Sequence, residues 1–131
     1  MCIFCKIVAG ELPAYKIYED EKTLAFLDIK PTTSGHALVI TKAHYANLEE
    51  ISEVDLTALA LATKKVGALL KEKLNVPGYN MSSNNDPVAG QEIPHIHFHL
   101  IPRHEGDGLV NWPKIEYGPG DMEEIAKKLT A

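Results

Sequence analysis

Hydrophobic and polar positions change rhythm along this chain, and each change marks an element. Apolar residues at Ile3, Phe4, Ile7 and Val8 keep a helical spacing that Gly10 and Pro13 stop, which predicts one short packed turn of helix. Residues 16–19 and 23–29 read as two strands joined by the turn at Asp20-Glu21-Lys22, and 31–35 as a loop. After His36 the run Ala37-Leu38-Val39-Ile40-Thr41 is almost continuously apolar, the mark of a deeply buried strand. Ser52-Glu53-Val54-Asp55 carries a capping signature and opens the longest helix, running to about residue 75. Its Leu56, Leu59, Val66, Leu69, Leu70 and Leu74 recur at helical spacing, so one face packs on the sheet as plain core. A fourth strand follows at 79–83, and a polar, glycine-bearing loop at 84–93.

The strictest pattern comes next. In Pro94-His95-Ile96-His97-Phe98-His99-Leu100-Ile101-Pro102-Arg103 histidine alternates with a large apolar residue, the period of a β-strand. Ile96, Phe98 and Leu100 are expected in the core, with His95, His97 and His99 in a row on the opposite, open face. Asp121 with Glu124 three residues later predicts a short capped helix to about residue 129. Strands, one long helix and two more strands predict an α+β fold: a five-stranded antiparallel meander with one long helix and short terminal helices.

Composition narrows the function. The 131 residues suffice for one domain with its own core. A formal net charge of −5 argues against nucleic-acid binding as the main role, while leaving room for a local basic nucleotide pocket. No stretch approaches the apolar length that spans a bilayer, and the N-terminus lacks a leader pattern, so a cytoplasmic protein without a membrane partner is expected. Cys2 and Cys5, separated by two residues, read in a reducing compartment as metal ligands or a redox pair.

The histidine row admits two chemistries. Histidines on one strand can clamp a zinc ion whose open position activates water. Alternatively, a neutral imidazole held in one tautomer is itself the nucleophile.

At His95-Ile96-His97-Phe98-His99-Leu100-Ile101 the sequence resembles the histidine triad (HIT) family. Ile3-Phe4-Cys5-Lys6-Ile7, Phe26-Leu27-Asp28-Ile29, Gly35-His36-Ala37-Leu38-Val39-Ile40, Asn84 and Gly90-Gln91 follow in the order of its Hint branch, most like prokaryotic members. The resemblance covers residues 2–113 as the core of a single HIT domain spanning 1–131, with a tail and short helix at 114–131. It implies a purine-nucleotide-binding enzyme that cleaves at the α-phosphorus of nucleoside monophosphate derivatives, such as nucleoside phosphoramidates or adenylylated amines, through a nucleotidyl-histidine. His97 matches the nucleophile and His99 the phosphate and leaving-group contact. His95 and His36 complete the catalytic cluster, His36 by orienting it.

Asp28 matches the ribose ligand, Asn84, Gln91 and Glu92 the phosphate side, and Ile3, Phe4, Ile7, Leu12 and Phe26 the base pocket. By likeness to relatives Trp112 is expected to cover a pocket, its own or a partner's, the other reading being a packing anchor. Prokaryotic relatives further imply a structural zinc on Cys2, Cys5, His44 and His95, with no metal needed for catalysis. They also imply a homodimer joined through the long helix and fourth strand, aligning two sheets. Two other readings stay open at this point: a dinucleoside polyphosphate hydrolase like the Fhit branch, and a nucleotide-binding regulatory module with incidental turnover. Glu92 departs from the serine common at its position; its carboxylate disfavours an anionic leaving group.

Overall fold

The computed structural model describes residues 2–131. A short helix α1 (Ile3–Val8) leads into strands β1 (Lys16–Glu19), β2 (Thr23–Leu27) and β3 (Ala37–Thr41). The long helix α2 (Glu53–Leu74), strand β4 (Gly78–Ser82), a single 3-10 turn (Pro87–Ala89), strand β5 (His97–Arg103) and helix α3 (Asp121–Thr130) follow. All strand pairings are antiparallel, in the order β1-β2-β3-β5-β4.

The meander therefore holds only for the first three strands. A helix of 22 residues spans about 33 Å at 1.5 Å per residue, so α2 carries the chain across the sheet and sets β4 down at the far edge. The chain then returns as β5 into the gap beside β3. That return puts the histidine strand inside the sheet, hydrogen-bonded on both sides.

Local chemistry explains the ends of α2. The Ser52 side chain accepts from the Asp55 backbone N–H at the start, and Asn75 closes the helix in a left-handed conformation. The predicted cap on α3 is not formed: Gly120 occupies the cap position, and Asp121 sits inside the helix, its carboxylate accepting from Gly118 N–H. Strand β2 stops at Leu27, two residues before the expected end: Asp28 N–H still reaches across to the His36 carbonyl, but the Asp28 carboxylate accepts from Lys30 N–H and turns the chain.

Alternation divides the sheet into two faces with different covers. Ala25, Ala37, Val39, Phe98 and Leu100 join Ile96, Leu59, Ala62, Val66 and Leu70 in the larger core beneath α2. Gly67 of α2 belongs to this contact, because a Cβ there would run into the Tyr79 ring of β4. Leu24, Phe26, Leu38 and Ile40 point the other way and pack with Phe4 and Ile7 of α1. Of the predicted α2 stripe, Leu74 is 53% exposed, as the last residue of the helix.

Candidate active site

Cross-strand register builds the site. Leu24 pairs with Ile40 and Ile40 with His97, while Phe26 pairs with Leu38 and Leu38 with His99. Paired residues share a face, so both histidines stand on the side that α1 covers. Six residues of helix cannot cover a five-stranded sheet, and a cavity of about 670 Å³ remains. Its walls include Ile3, Phe4, Ile7, Leu12 and Phe26 together with Asp28, His36, Asn84, Glu92, His97 and His99. These are eleven of the residues singled out from the sequence, drawn together from five segments. Its size suits a small-molecule ligand, and its mixture of apolar wall and few polar groups is that of such sites.

Hydrogen bonds assign the tautomers. His97 Nδ1 lies 2.7 Å from the His95 carbonyl oxygen, which can only accept, so Nδ1 carries the proton. The lone pair is thereby left on Nε2 of a ring that lines the cavity. Thr32 N–H donates to His36 Nδ1 at 3.0 Å, so the His36 proton is on Nε2, and it is donated across 2.9 Å to His99 Nδ1. His99 in turn carries its proton on Nε2.

Burial disfavours the charged imidazolium and holds His36, His97 and His99 below their ordinary pKa of 6.5. In His99 burial, reinforced by repulsion from His97 and His36, brings it to about 4. At neutral pH the cavity thus presents a bare imidazole nitrogen at His97 beside an N–H donor at His99. Asp28, with Oδ2 3.6 Å from His36 Nε2, is the acceptor at the opposite wall.

Asp28, His36 and His99 also lie close enough to hold an ion. As bonded here they are unsuited to it, because the His36 nitrogen facing the other two carries a proton.

His95 departs from the expected row. It precedes β5, with its N–H bonded to the Ile93 carbonyl and the next residue, Ile96, tied to Tyr45, so its fully buried ring turns away from the cavity. His95 Nε2 donates to the Thr41 carbonyl at 2.7 Å, which leaves its Nδ1 lone pair facing Cys2, Cys5 and His44. The three triad rings accordingly do not share one ion, and the zinc-water arrangement on the triad is not assembled.

The Cys2/Cys5/His44/His95 cluster has the dimensions of a metal centre. Sulfur–nitrogen separations are 3.3–3.6 Å and the two Nδ1 atoms are 3.2 Å apart. Ligand bonds of about 2.3 Å to sulfur and 2.0 Å to nitrogen in a tetrahedron give edges of about 3.5 and 3.3 Å. Cys2 also caps α1, its sulfur accepting from Cys5 N–H. A metal held by these four side chains would tie down the helix that carries Ile3, Phe4 and Ile7.

Two sequence-selected residues lie elsewhere. The Gln91 amide is spent on the backbone: Oε1 accepts from Asp86 N–H, and Nε2 donates to the Ala46 and Ile93 carbonyls. It braces the 84–93 loop and does not line the cavity. Trp112 is 83% exposed and also stands outside the lining, within a C-terminal segment that is exposed throughout. Conversely, Thr32 N–H and the carbonyls of Thr41 and His95, which set the tautomers of His36, His95 and His97, had no sequence signal because each acts through its backbone. Lys30 and Ile93 also line the cavity.

Comparisons with known proteins agree with this geometry. The HIT domain model matches residues 9–106. The chain is 48% identical to an uncharacterised HIT-like protein of Methanocaldococcus jannaschii, covering 98% of each. It is 42% identical to an adenosine 5'-monophosphoramidase of Saccharomyces cerevisiae, covering 99% of this chain and 81% of that one. A crystal structure of a HIT family member from Bacillus subtilis superposes with a TM-score of 0.90 at 40% identity, covering 98% of this chain and 94% of the other. A zinc-bound histidine triad protein from Mycobacterium smegmatis gives 0.79 at 38% identity, covering 88% and 84%. The matched model, these relatives and the paired histidines on β5 place the chain in the HIT family.

Proposed function

We propose that this protein is a purine-nucleotide hydrolase acting on nucleoside monophosphate derivatives joined to an amine, through a nucleotide held covalently on His97. The observation that carries this reading is the 2.7 Å bond from His97 Nδ1–H to the His95 carbonyl, which leaves Nε2 unprotonated inside the cavity. An imidazole so held attacks without a general base. The monophosphoramidase name of the yeast relative supports the substrate class.

The purine packs among Ile3, Phe4, Ile7 and Phe26, and Asp28 accepts from the ribose hydroxyls. His97 Nε2 forms a bond to phosphorus as the phosphorus–nitrogen bond of the substrate breaks. The amine leaves with that electron pair and takes a proton from solvent, while His99 Nε2–H bonds a phosphoryl oxygen. Water then attacks phosphorus, releasing the nucleoside monophosphate and restoring His97. Two displacements give net retention. Acid-free quenching during turnover, followed by peptide mass spectrometry, is expected to find a nucleotidyl group on His97; inversion at a chiral phosphorothioate would refute the route.

The Cys2/Cys5/His44/His95 set is read as a structural zinc site. Its tetrahedral spacing and the zinc-bound relative support this, and zinc there would supply a rigid anchor for α1, with His97 and His99 left free. One zinc per chain by elemental analysis of untagged protein is the expected result. A homodimer is read from β4, an open sheet edge, and from the exposed Leu61, Leu74 and Met81 on α2 and β4. Light scattering during gel filtration tests it.

A further inference from the structure

Strand order gives the cavity a direction. Strands β2, β3 and β5 lie side by side, about 4.8 Å apart per step. Asp28 follows β2, and His97 stands on β5. Beyond β5 the wall is made by Asn84, Gly90, Glu92 and Ile93 of the 84–93 loop, which leaves β4 on the far side of the histidine strand. With a nucleoside anchored at Asp28 and its phosphorus at His97, the part of the cavity left for the departing group is the part bounded by that loop.

The loop is held firmly. Asn85 Oδ1 accepts from Leu48 N–H at 2.8 Å, Asn47 Nδ2 donates to the Asp86 carboxylate, and Gln91 makes three backbone bonds. These bonds sustain a left-handed φ of 74° at Asp86, a strained value for a non-glycine residue. The position of the Glu92 backbone at the cavity wall is thus set by the fold.

Charge on the two walls differs. With the histidines neutral, the charged residues lining the cavity are Asp28, Lys30 and Glu92. Lys30 lies two residues from Asp28, at the ribose end. Glu92 is an exposed residue of the cavity lining and makes no ion pair among the described residues, so the charge it brings to that wall is not offset by a bonded cation.

Resting on the nucleotidyl-transfer reading above, we infer that Glu92 sets leaving-group specificity, favouring amines that carry a further positive charge and disfavouring anionic groups such as carboxylates and phosphates. In a cavity open to water such a contact is worth a modest factor, about 3- to 10-fold per unit of charge. Three adenosine 5'-phosphoramidates test it: those of 1,3-diaminopropane, with a free ammonium; n-propylamine, uncharged; and β-alanine, with a free carboxylate. Native protein is expected to rank them by kcat/KM in that order. Glu92→Gln should bring the ammonium-to-carboxylate ratio to within about 2-fold, Glu92→Asp should keep the order, and added salt should narrow the native ratio. Turnover of all three with no charge order, or an order that survives in Glu92→Gln, overturns the inference and leaves the nucleotidyl route standing. Turnover of none overturns both.

Discussion

The same strands serve both faces of the sheet, yet the two faces do opposite work. Beneath α2, alternate residues of β2, β3 and β5 meet 22 residues of helix and close into a dry core. On the other side their neighbours meet a helix of six residues, and the uncovered remainder is the cavity with His97 and His99 on its floor. The two faces have similarly apolar floors along β2 and β3, so what separates them is the length of the cover. A short lid leaves polar groups that water and ligand can reach, and it must be pinned by something other than its own area. Here the Cys2/Cys5/His44/His95 cluster is placed to do that.

Substitutions on opposite faces should therefore separate activity from stability. His97→Ala is expected to lower kcat/KM by at least about 10³-fold while moving the urea midpoint little, since it removes the nucleophile from a cavity wall. Leu59→Ala, at a fully buried site under α2, should do the reverse, costing about 2–5 kcal/mol in denaturant unfolding with kcat of the surviving fold near normal. If both variants lose activity and stability together, the division between faces fails.

Cys5→Ser tests the pin. It should lower the melting temperature by about 5 °C and raise KM more than kcat falls, because α1 carries base-pocket residues but not the histidines. Equal loss in a zinc-depleted native sample would assign the effect to the metal. Gly67→Ala probes the α2 face more gently. Better helix propensity is outweighed by collision with the Tyr79 ring, for a net loss of about 1–3 kcal/mol by chemical unfolding.

The smallest effect is on pH. An unfolded histidine binds its proton near 6.5, whereas His99 does so near 4 in the fold and His36 and His97 also below 6.5. Between those values the unfolded chain holds more protons, so stability rises with pH. The contribution is complete above about 6.5 and is lost as pH falls toward 4, which urea midpoints across that range will show. Activity should persist somewhat below pH 6.5, because His97 stays unprotonated there.

Much of this molecule could be read from its residues alone. Side-chain period is a local property, so the long helix, the apolar strand at 37–41 and the inward Ile96, Phe98 and Leu100 followed directly from spacing. The family, too, was present in the order of short motifs. Assignments that needed a neighbour from elsewhere fared differently. His95 was expected in an open row and is buried in another cluster, because the Ile93 and Tyr45 backbone bonds turn it before β5 begins. Gln91 was matched to the phosphate side, and three backbone partners have taken up its amide.

By itself, then, the sequence determined which residues bear the chemistry: three alternating histidines, a carboxylate at Asp28 and two thiols at a metal-binding gap. Only the tertiary structure decided what each nitrogen does. The carbonyl of Thr41 accepts a hydrogen bond from His95 Nε2–H, the carbonyl of His95 accepts one from His97 Nδ1–H, and the amide of Thr32, by donating to His36 Nδ1, directs the proton of His36 toward His99. Every residue but proline carries those same backbone groups, so no pattern of side chains can announce which of them will meet a given ring.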